Sequence, residues 1–90
     1  MRQVLDAVGQ HYRLTLPLRP KSERQWQAVS VAAGILQTHL NYDGEKIGAV
    51  LGFVGTVAGE GLAARCAASI ALRQVAEGIW HDLANVSVAS

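Results

Sequence analysis

The spacing that most suggests a binding function in this chain lies at residues 59–64. Their sequence is Gly-Glu-Gly-Leu-Ala-Ala. They satisfy the dinucleotide-binding fingerprint G-x-G-x-x-A. That fingerprint binds a pyrophosphate only where a strand precedes it and a second strand follows, with an acidic residue about twenty positions on. Glu77 and Asp82 lie near that distance but within a helical pattern, and too few residues follow to complete such a sheet. We therefore interpret residues 59–61 as a turn between two helices.

Histidine, cysteine and serine form no recognisable catalytic or metal-binding set. The three histidines, His11, His39 and His81, are far apart in the chain. Together with the single cysteine, Cys66, they lack the spacing of zinc ligands. His81 and Asp82 are sequence neighbours, so on a helix their side chains point in different directions. We therefore expect a non-catalytic protein without a metal or cofactor, and no pattern indicates a small-molecule substrate.

Length and composition favour one cytoplasmic domain. Ninety residues, half of them apolar, correspond to a single domain over residues 1–90. One cysteine excludes an intrachain disulfide, and the first residues lack the apolar region of a secretory signal peptide. Residues 47–72 are long enough for a membrane-spanning alternative. Glu60 and Arg65 argue against it, because each would cost about 2.5–3.5 kcal/mol at the bilayer centre.

Charge is polarised along the chain although the net charge is only +1. Residues 1–24 carry five basic and two acidic side chains, hence +3, and residues 25–90 carry three basic and five acidic ones, hence −2. The candidate phosphate contacts are Arg13, Arg19, Lys21 and Arg24. They suggest nucleic-acid binding, with Tyr12 and Trp26 stacking on bases. This alternative is not favoured, because neither predicted turn precedes a basic recognition helix.

The first elements are a short N-terminal helix and an extended arm, together residues 1–21. Val4, Leu5, Val8 and Tyr12 share one helical face. Residues 12–18 then alternate apolar and polar side chains, the period of a half-buried strand, and Pro17 restricts such a strand to a sheet edge. Either an edge strand or an irregular arm over the helices satisfies this pattern, and we favour the arm. Its predicted apolar contacts are Leu14, Leu16 and Leu18.

Residues 22–90 are predicted to form the helical core, beginning with a well-signalled helix. Ser22 and Gln25 have the spacing of a capping box at its start. Its apolar stripe steps by three and four through Trp26, Val29, Ala33, Leu36 and Leu40. Val31, Ala32 and Ile35 widen the apolar face beyond what one neighbouring helix would cover. This excess predicts a second copy or a protein partner.

Four glycines, Gly48, Gly52, Gly55 and Gly59, recur at spacings of four, three and four. On one helix they would fall within a strip about 60° wide, against which another backbone could pack closely. We therefore predict a helix from residue 45 to about 58 and a long alanine-rich helix from 62 to about 85, paired as an antiparallel hairpin. The exposed side of the second helix should carry an Arg73–Glu77 pair. The predicted seam or core residues are Trp26, Leu36, Gly48, Gly52, Gly55, Gly59 and Trp80.

These elements predict an all-α bundle of three to four helices with a short extended arm. We expect a non-catalytic protein that acts through protein–protein contact, as an accessory subunit, regulator or inhibitor. The wide apolar face and the glycine strip further predict self-association as a homodimer or larger assembly. The alternative function is a dimeric nucleic-acid-binding protein that uses the basic residues between Arg13 and Arg24.

Overall fold

Five α-helices account for all regular secondary structure in the described part of the chain. The structure is a computed structural model that describes residues 2–16, 19–53 and 56–89. The helices are α1 (Arg2–Tyr12), α2 (Glu23–Leu40), α3 (Gly44–Leu51), α4 (Thr56–Ala68) and α5 (Ile70–Ala89). The all-α prediction is confirmed, but three to four helices is too few. The sequence pattern placed the helix boundaries between residues 51 and 70 incorrectly.

The edge-strand alternative for residues 12–18 is wrong for its described part, because the backbone there closes α1 instead. Arg13 adopts a left-handed conformation, with φ at 58°. Its N–H donates to the Gln10 carbonyl at 3.2 Å, and the Leu14 N–H donates to the Gly9 carbonyl at 2.7 Å. These two bonds form a Schellman motif, which satisfies carbonyls at the helix end. The same N–H groups are therefore unavailable for pairing with a strand.

The residues after α1 form an irregular arm over the helices. Leu16 is buried in the core and Leu14 packs partly buried against it, whereas Leu18 lies outside the described residues. An exposed ion pair between Arg2 and Asp6, at 3.3 Å, lies on the outer face of α1. The arm thus adds apolar cover to the core without sheet pairing by residues 13–16.

Helix α2 begins at the predicted cap. Ser22 Oγ accepts a hydrogen bond from the Gln25 N–H at 3.3 Å, and Gln25 Oε1 accepts one from the Lys21 N–H at 2.7 Å. The helix ends where Asn41 turns left-handed, at φ 56°, and its N–H donates to the Leu36 carbonyl. Ser22 is thus confirmed as the N-cap, whereas the Gln25 side chain bonds to the N–H of Lys21 instead of that of Ser22, which a capping box requires.

Helix α2 is the centre of the bundle. Nine consecutive residues, 28–36, are buried, and α2 contacts each of the other four helices. Its one polar residue in this stretch, Ser30, donates from its hydroxyl to the Trp26 carbonyl at 2.7 Å. The apolar face that suggested a second copy is therefore covered by helices of the same chain. This finding removes the main argument for self-association.

The predicted helix over residues 45–58 is wrong, because Gly52 ends α3. Gly52 has φ at 82°, a backbone conformation that side chains disfavour, and the Phe53 N–H donates to the Gly48 carbonyl at 2.7 Å. A Cβ added to Gly52 would meet no atom within 4 Å, so Gly52 stops a helix and packs against nothing. Gly55 lies outside the described residues.

Close backbone packing occurs instead between two separate helices, α3 and α4. Residues 59–61 lie inside α4, so the predicted turn there is wrong, and the fingerprint spacing does not open a helix. A Cβ added to Gly59 would overlap the carbonyl oxygen of Gly44 and come within 2.9 Å of the Gly48 nitrogen. Gly48 and Gly59 are both buried. The missing side chain of Gly59 thus lets the backbones of α3 and α4 touch.

The single helix predicted from residue 62 to about 85 is divided at Ser69. Its N–H donates to the Cys66 carbonyl at 3.2 Å, and its hydroxyl accepts from the Leu72 N–H at 3.2 Å. This side-chain bond caps the start of α5. Because the helix is interrupted at Ser69, α4 and α5 pack against α2 as separate helices.

Candidate functional site

A groove between α2, α4 and α5 forms a largely apolar concave surface of the protein. Its volume is about 540 Å³. Helix α2 contributes its C-terminal half, α4 its second half and α5 its first two turns. The lining residues are Gly34, Ile35, Gln37, Thr38, Ala63, Cys66, Ala67, Ile70, Arg73, Gln74, Ala76 and Glu77.

The floor of the groove is buried and apolar. Ile35, Ala63, Cys66 and Ala76 are each less than one-tenth exposed. The thiol of Cys66 lies directly over Gly34, where a Cβ would come within 2.5 Å of the sulfur. Glycine at this position thus allows α4 to approach α2 closely beneath the groove.

The lip of the groove carries an unusually exposed large apolar side chain. Ile70, the first residue of α5, is 66% exposed. The neighbouring Ala67 on α4 is exposed as well. Exposed apolar side chains are common singly, and Ile70 differs from such a case in that it borders an apolar concavity.

Two charged residues of α5, Arg73 and Glu77, lie at the rim of the groove and differ in their contacts with other charged groups. Glu77 Oε1 lies 3.0 Å from His39 Nε2, and the His39 ring stacks on Trp80 with centroids 4.5 Å apart. The predicted Arg73–Glu77 pair is not formed, and the Glu77 carboxylate contacts His39 of α2 instead. Among the described residues, Arg73 has no carboxylate within ion-pair distance.

Burial makes the Cys66 thiol a poor nucleophile. Desolvation raises the pKa of Cys66, and the carboxylate of Glu77 raises it further, while the Arg73 cation opposes this by lowering it. Burial also raises the pKa of the Tyr12 hydroxyl, and the charge of a Cys66 thiolate adds to that rise. A catalytic cysteine needs a depressed pKa, so this thiol has the opposite character.

We expect Cys66 to react slowly in the folded protein and to make stability sensitive to alkali. Each unit of raised pKa lowers the thiolate fraction about tenfold, so thiol labelling should accelerate strongly when urea unfolds the chain. The folded pKa lies above the ordinary value of 9.0, so folding stability is intact below that pH and falls as pH rises through the folded value. Urea unfolding across alkaline pH would measure this fall, and Cys66→Ala should reduce it. An equal fall in that variant would contradict the assignment.

The structure does not bring the predicted seam or core residues together as one site. Leu36 is fully buried within the core. Trp26 is partly buried near the start of α2, with its ring 6.2 Å from Phe53 and the Arg65 guanidinium 6.0 Å above it. Trp80 stacks on His39 near the other end of α2. The two tryptophans thus anchor opposite ends of the central helix.

The candidate phosphate contacts Arg13, Arg19, Lys21 and Arg24 are all exposed. The Arg24 guanidinium donates to the Tyr12 carbonyl at the end of α1. The Glu23 carboxylate beside it pairs with Arg65 of α4 at 2.5 Å. The predicted base-stacking residues are not free, because Tyr12 is buried and Trp26 is packed between neighbours.

Sequence reasoning missed Ile70, Arg73 and Cys66 as parts of one groove. The alanine-rich pattern read as a continuous helix, which would place Ile70 on the same apolar face as Cys66. The signal that could have located the break is Ser69, because serine is among the preferred residues at helix starts.

Within residues 2–16, 19–53 and 56–89, no three histidine, cysteine, aspartate or glutamate side chains come together as ligands for a metal ion. No helix in that part of the chain has both the length and the apolar character needed to cross a bilayer. No protein-family model matches the chain, and neither does any curated protein or solved structure.

Proposed function

We propose that this chain is a non-catalytic binding protein, acting as an accessory subunit, regulator or inhibitor, whose groove receives an amphipathic helix of a second protein. The observation that carries the proposal is Ile70, which is 66% exposed at the lip of an apolar groove. Fully burying an isoleucine side chain contributes about 1.5–3 kcal/mol relative to leaving it in water. A partner that covers Ile70 would gain part of that free energy.

The form of the groove supports a helix as the occupant. Three helices line it, and its α5 wall runs from Ile70 to Glu77, about 11 Å at 1.5 Å per residue. Two turns of a docked helix would fit along that wall. Amphipathic helices bind such grooves by placing side chains at positions i, i+3 or i+4 and i+7 on an apolar floor. The floor here is built from small and branched apolar residues, with polar groups confined to the rim.

The charges at the rim indicate the chemistry of the occupant. His39 already engages Glu77, whereas Arg73 has no carboxylate partner in the described part of the chain. Arginine binds carboxylates through two parallel hydrogen bonds, which adds orientation as well as affinity. We therefore infer that the docked helix carries an aspartate or glutamate opposite Arg73.

A foreign protein suits this groove better than a second copy of the chain. An amphipathic occupant must expose an apolar stripe, but Val57 and Ile70 are the exposed large apolar side chains among the residues whose side chains the structure describes. They lie on different helices, α4 and α5, so residues 57–85 of these two helices offer no such stripe.

Site-specific photo-crosslinking tests the proposal. A photoreactive amino acid replaces Gln74 in the groove or, as the control, exposed Glu45 on α3, and each variant is irradiated in the native cell. We expect one protein to be captured from position 74 and not from position 45. A synthetic peptide of its crosslinked segment should become helical on binding and should compete with capture. Equal capture from both positions, or no capture from position 74, would overturn the proposal.

A further inference from the structure

The basic cluster, defined as Arg13, Arg19, Lys21 and Arg24, carries more net charge in the folded protein than the sequence indicates. Glu23 is the acidic residue that interrupts this segment, and Arg65 of α4 neutralises it at 2.5 Å. When the Glu23–Arg65 pair is counted as neutral, the net charge of the basic cluster is +4. Because the whole chain is +1, the remaining charged residues sum to −3. The segment from Arg13 to Arg24 is therefore basic, whereas the remaining charged residues of the folded chain are acidic in sum.

Two helix ends help to position Arg13 and Arg24 of the cluster. The Schellman motif holds Arg13 in a left-handed turn at the end of α1. Arg24 lies in the first turn of α2 and donates to the carbonyl of Tyr12, next to Arg13 in the chain. One donor of the Arg24 guanidinium is used in this bond, and a guanidinium has five. Arg24 therefore keeps donors for an external anion while its position is fixed.

We propose that the basic cluster binds the phosphate backbone of duplex nucleic acid without reading base sequence. Three of its four members are arginines, whose planar guanidinium matches phosphate oxygens in pairs. Tyr12 and Trp26 are not available to stack on bases, because their rings are packed against other parts of the protein. A membrane surface is disfavoured because Leu14 and Leu16, the described apolar residues of the arm, are turned inward and provide no anchor. The proposal is independent of the groove.

Fluorescence anisotropy of a short labelled DNA duplex across a salt series tests this inference. Each phosphate contact contributes about 0.9 to the slope of log affinity against log salt, so four contacts predict a slope near −3.6. The double variant Arg19→Gln/Lys21→Gln should lower the magnitude of that slope by about 1.8, because two contacts are lost. The matched control Arg2→Gln/Lys46→Gln removes the same charge outside the cluster and should leave the slope unchanged.

The outcomes separate nucleic acid from other anionic partners. Absence of binding at low ionic strength, or an equal change of slope in both double variants, would overturn the proposal. Phosphatidylserine vesicles and polyglutamate are tested in parallel with the same proteins. If either is bound more tightly than the duplex and loses binding through Arg19→Gln/Lys21→Gln, the cluster belongs to a membrane surface or to an acidic protein instead.

Discussion

Replacing Gly59 by alanine is expected to lower the free energy of unfolding by about 3 kcal/mol, an effect at the upper end of that for overpacking a core. The added methyl group would overlap the carbonyl oxygen of Gly44 and lie 2.9 Å from the Gly48 nitrogen. Both neighbours are backbone atoms of α3, so no side chain can rotate away to make room. Relief requires α3 and α4 to separate, which would disturb their contacts with α2.

The same substitution at Gly61 is the control, because that residue lies in the same helix two positions away. Gly61 is exposed, and a Cβ there would meet no atom within 4 Å. Alanine in an exposed helix interior stabilises by about 1 kcal/mol relative to glycine. Urea unfolding followed by circular dichroism should therefore give shifts of opposite sign for Gly59→Ala and Gly61→Ala. Shifts of the same sign would contradict the packing of α3 against α4.

Replacing Ile70 by aspartate is expected to abolish capture of the partner from the groove while leaving the protein folded. Ile70 is mostly exposed, so the change removes little buried surface, and an acidic residue in the first turn of α5 interacts favourably with the helix dipole. In the complex, the same change would bury a carboxylate against apolar residues. An apolar side chain that anchors a bound partner contributes about 2 kcal/mol or more, so affinity should fall by about 30-fold or more.

Val57→Asp provides a matched control for that experiment. Val57 is 82% exposed, lies in the first turn of α4 and is not among the residues that line the groove. Both variants therefore exchange an exposed apolar side chain for aspartate at a helix start. Capture from position 74 should disappear with Ile70→Asp and persist with Val57→Asp, and both should unfold near the wild-type urea concentration. Equal loss in the two variants would assign the effect to charge rather than to the groove.

Local signals in the sequence predicted the parts of the fold that depend on neighbouring residues. The cap at the start of α2 joins Ser22 to Gln25, only three positions along the chain, so its pattern indicates a helix start whatever packs around it. The apolar stripe of α2 was recognised for the same reason. Its excess width was interpreted as an intermolecular surface, because sequence alone does not show that α1, α3, α4 and α5 all contact this helix.

The glycines show why the remaining boundaries were not predictable. A glycine in a packing seam and a glycine that ends a helix can recur at the same spacing in the sequence. In the structure, Gly59 packs on backbone atoms, whereas Gly52 adopts a positive φ and ends a helix. The difference depends on tertiary contacts of α3 with α4. The groove was missed for a related reason. Its position depends on the helix interruption at Ser69, and the alanine-rich sequence around Ser69 is also compatible with one continuous helix. Charge neutralisation of Glu23 by Arg65 is likewise a long-range contact.

The molar mass of the purified protein, measured by light scattering over a concentration series, tests most directly the claim that one chain completes its own core and leaves the groove open for another protein. We predict a mass near 9.6 kDa at every concentration, for the wild type and for Ile70→Asp alike. A mass that rises to twice that value with concentration, and returns to the monomer value in Ile70→Asp, would contradict the account. The groove would then be an interface between two copies of this chain.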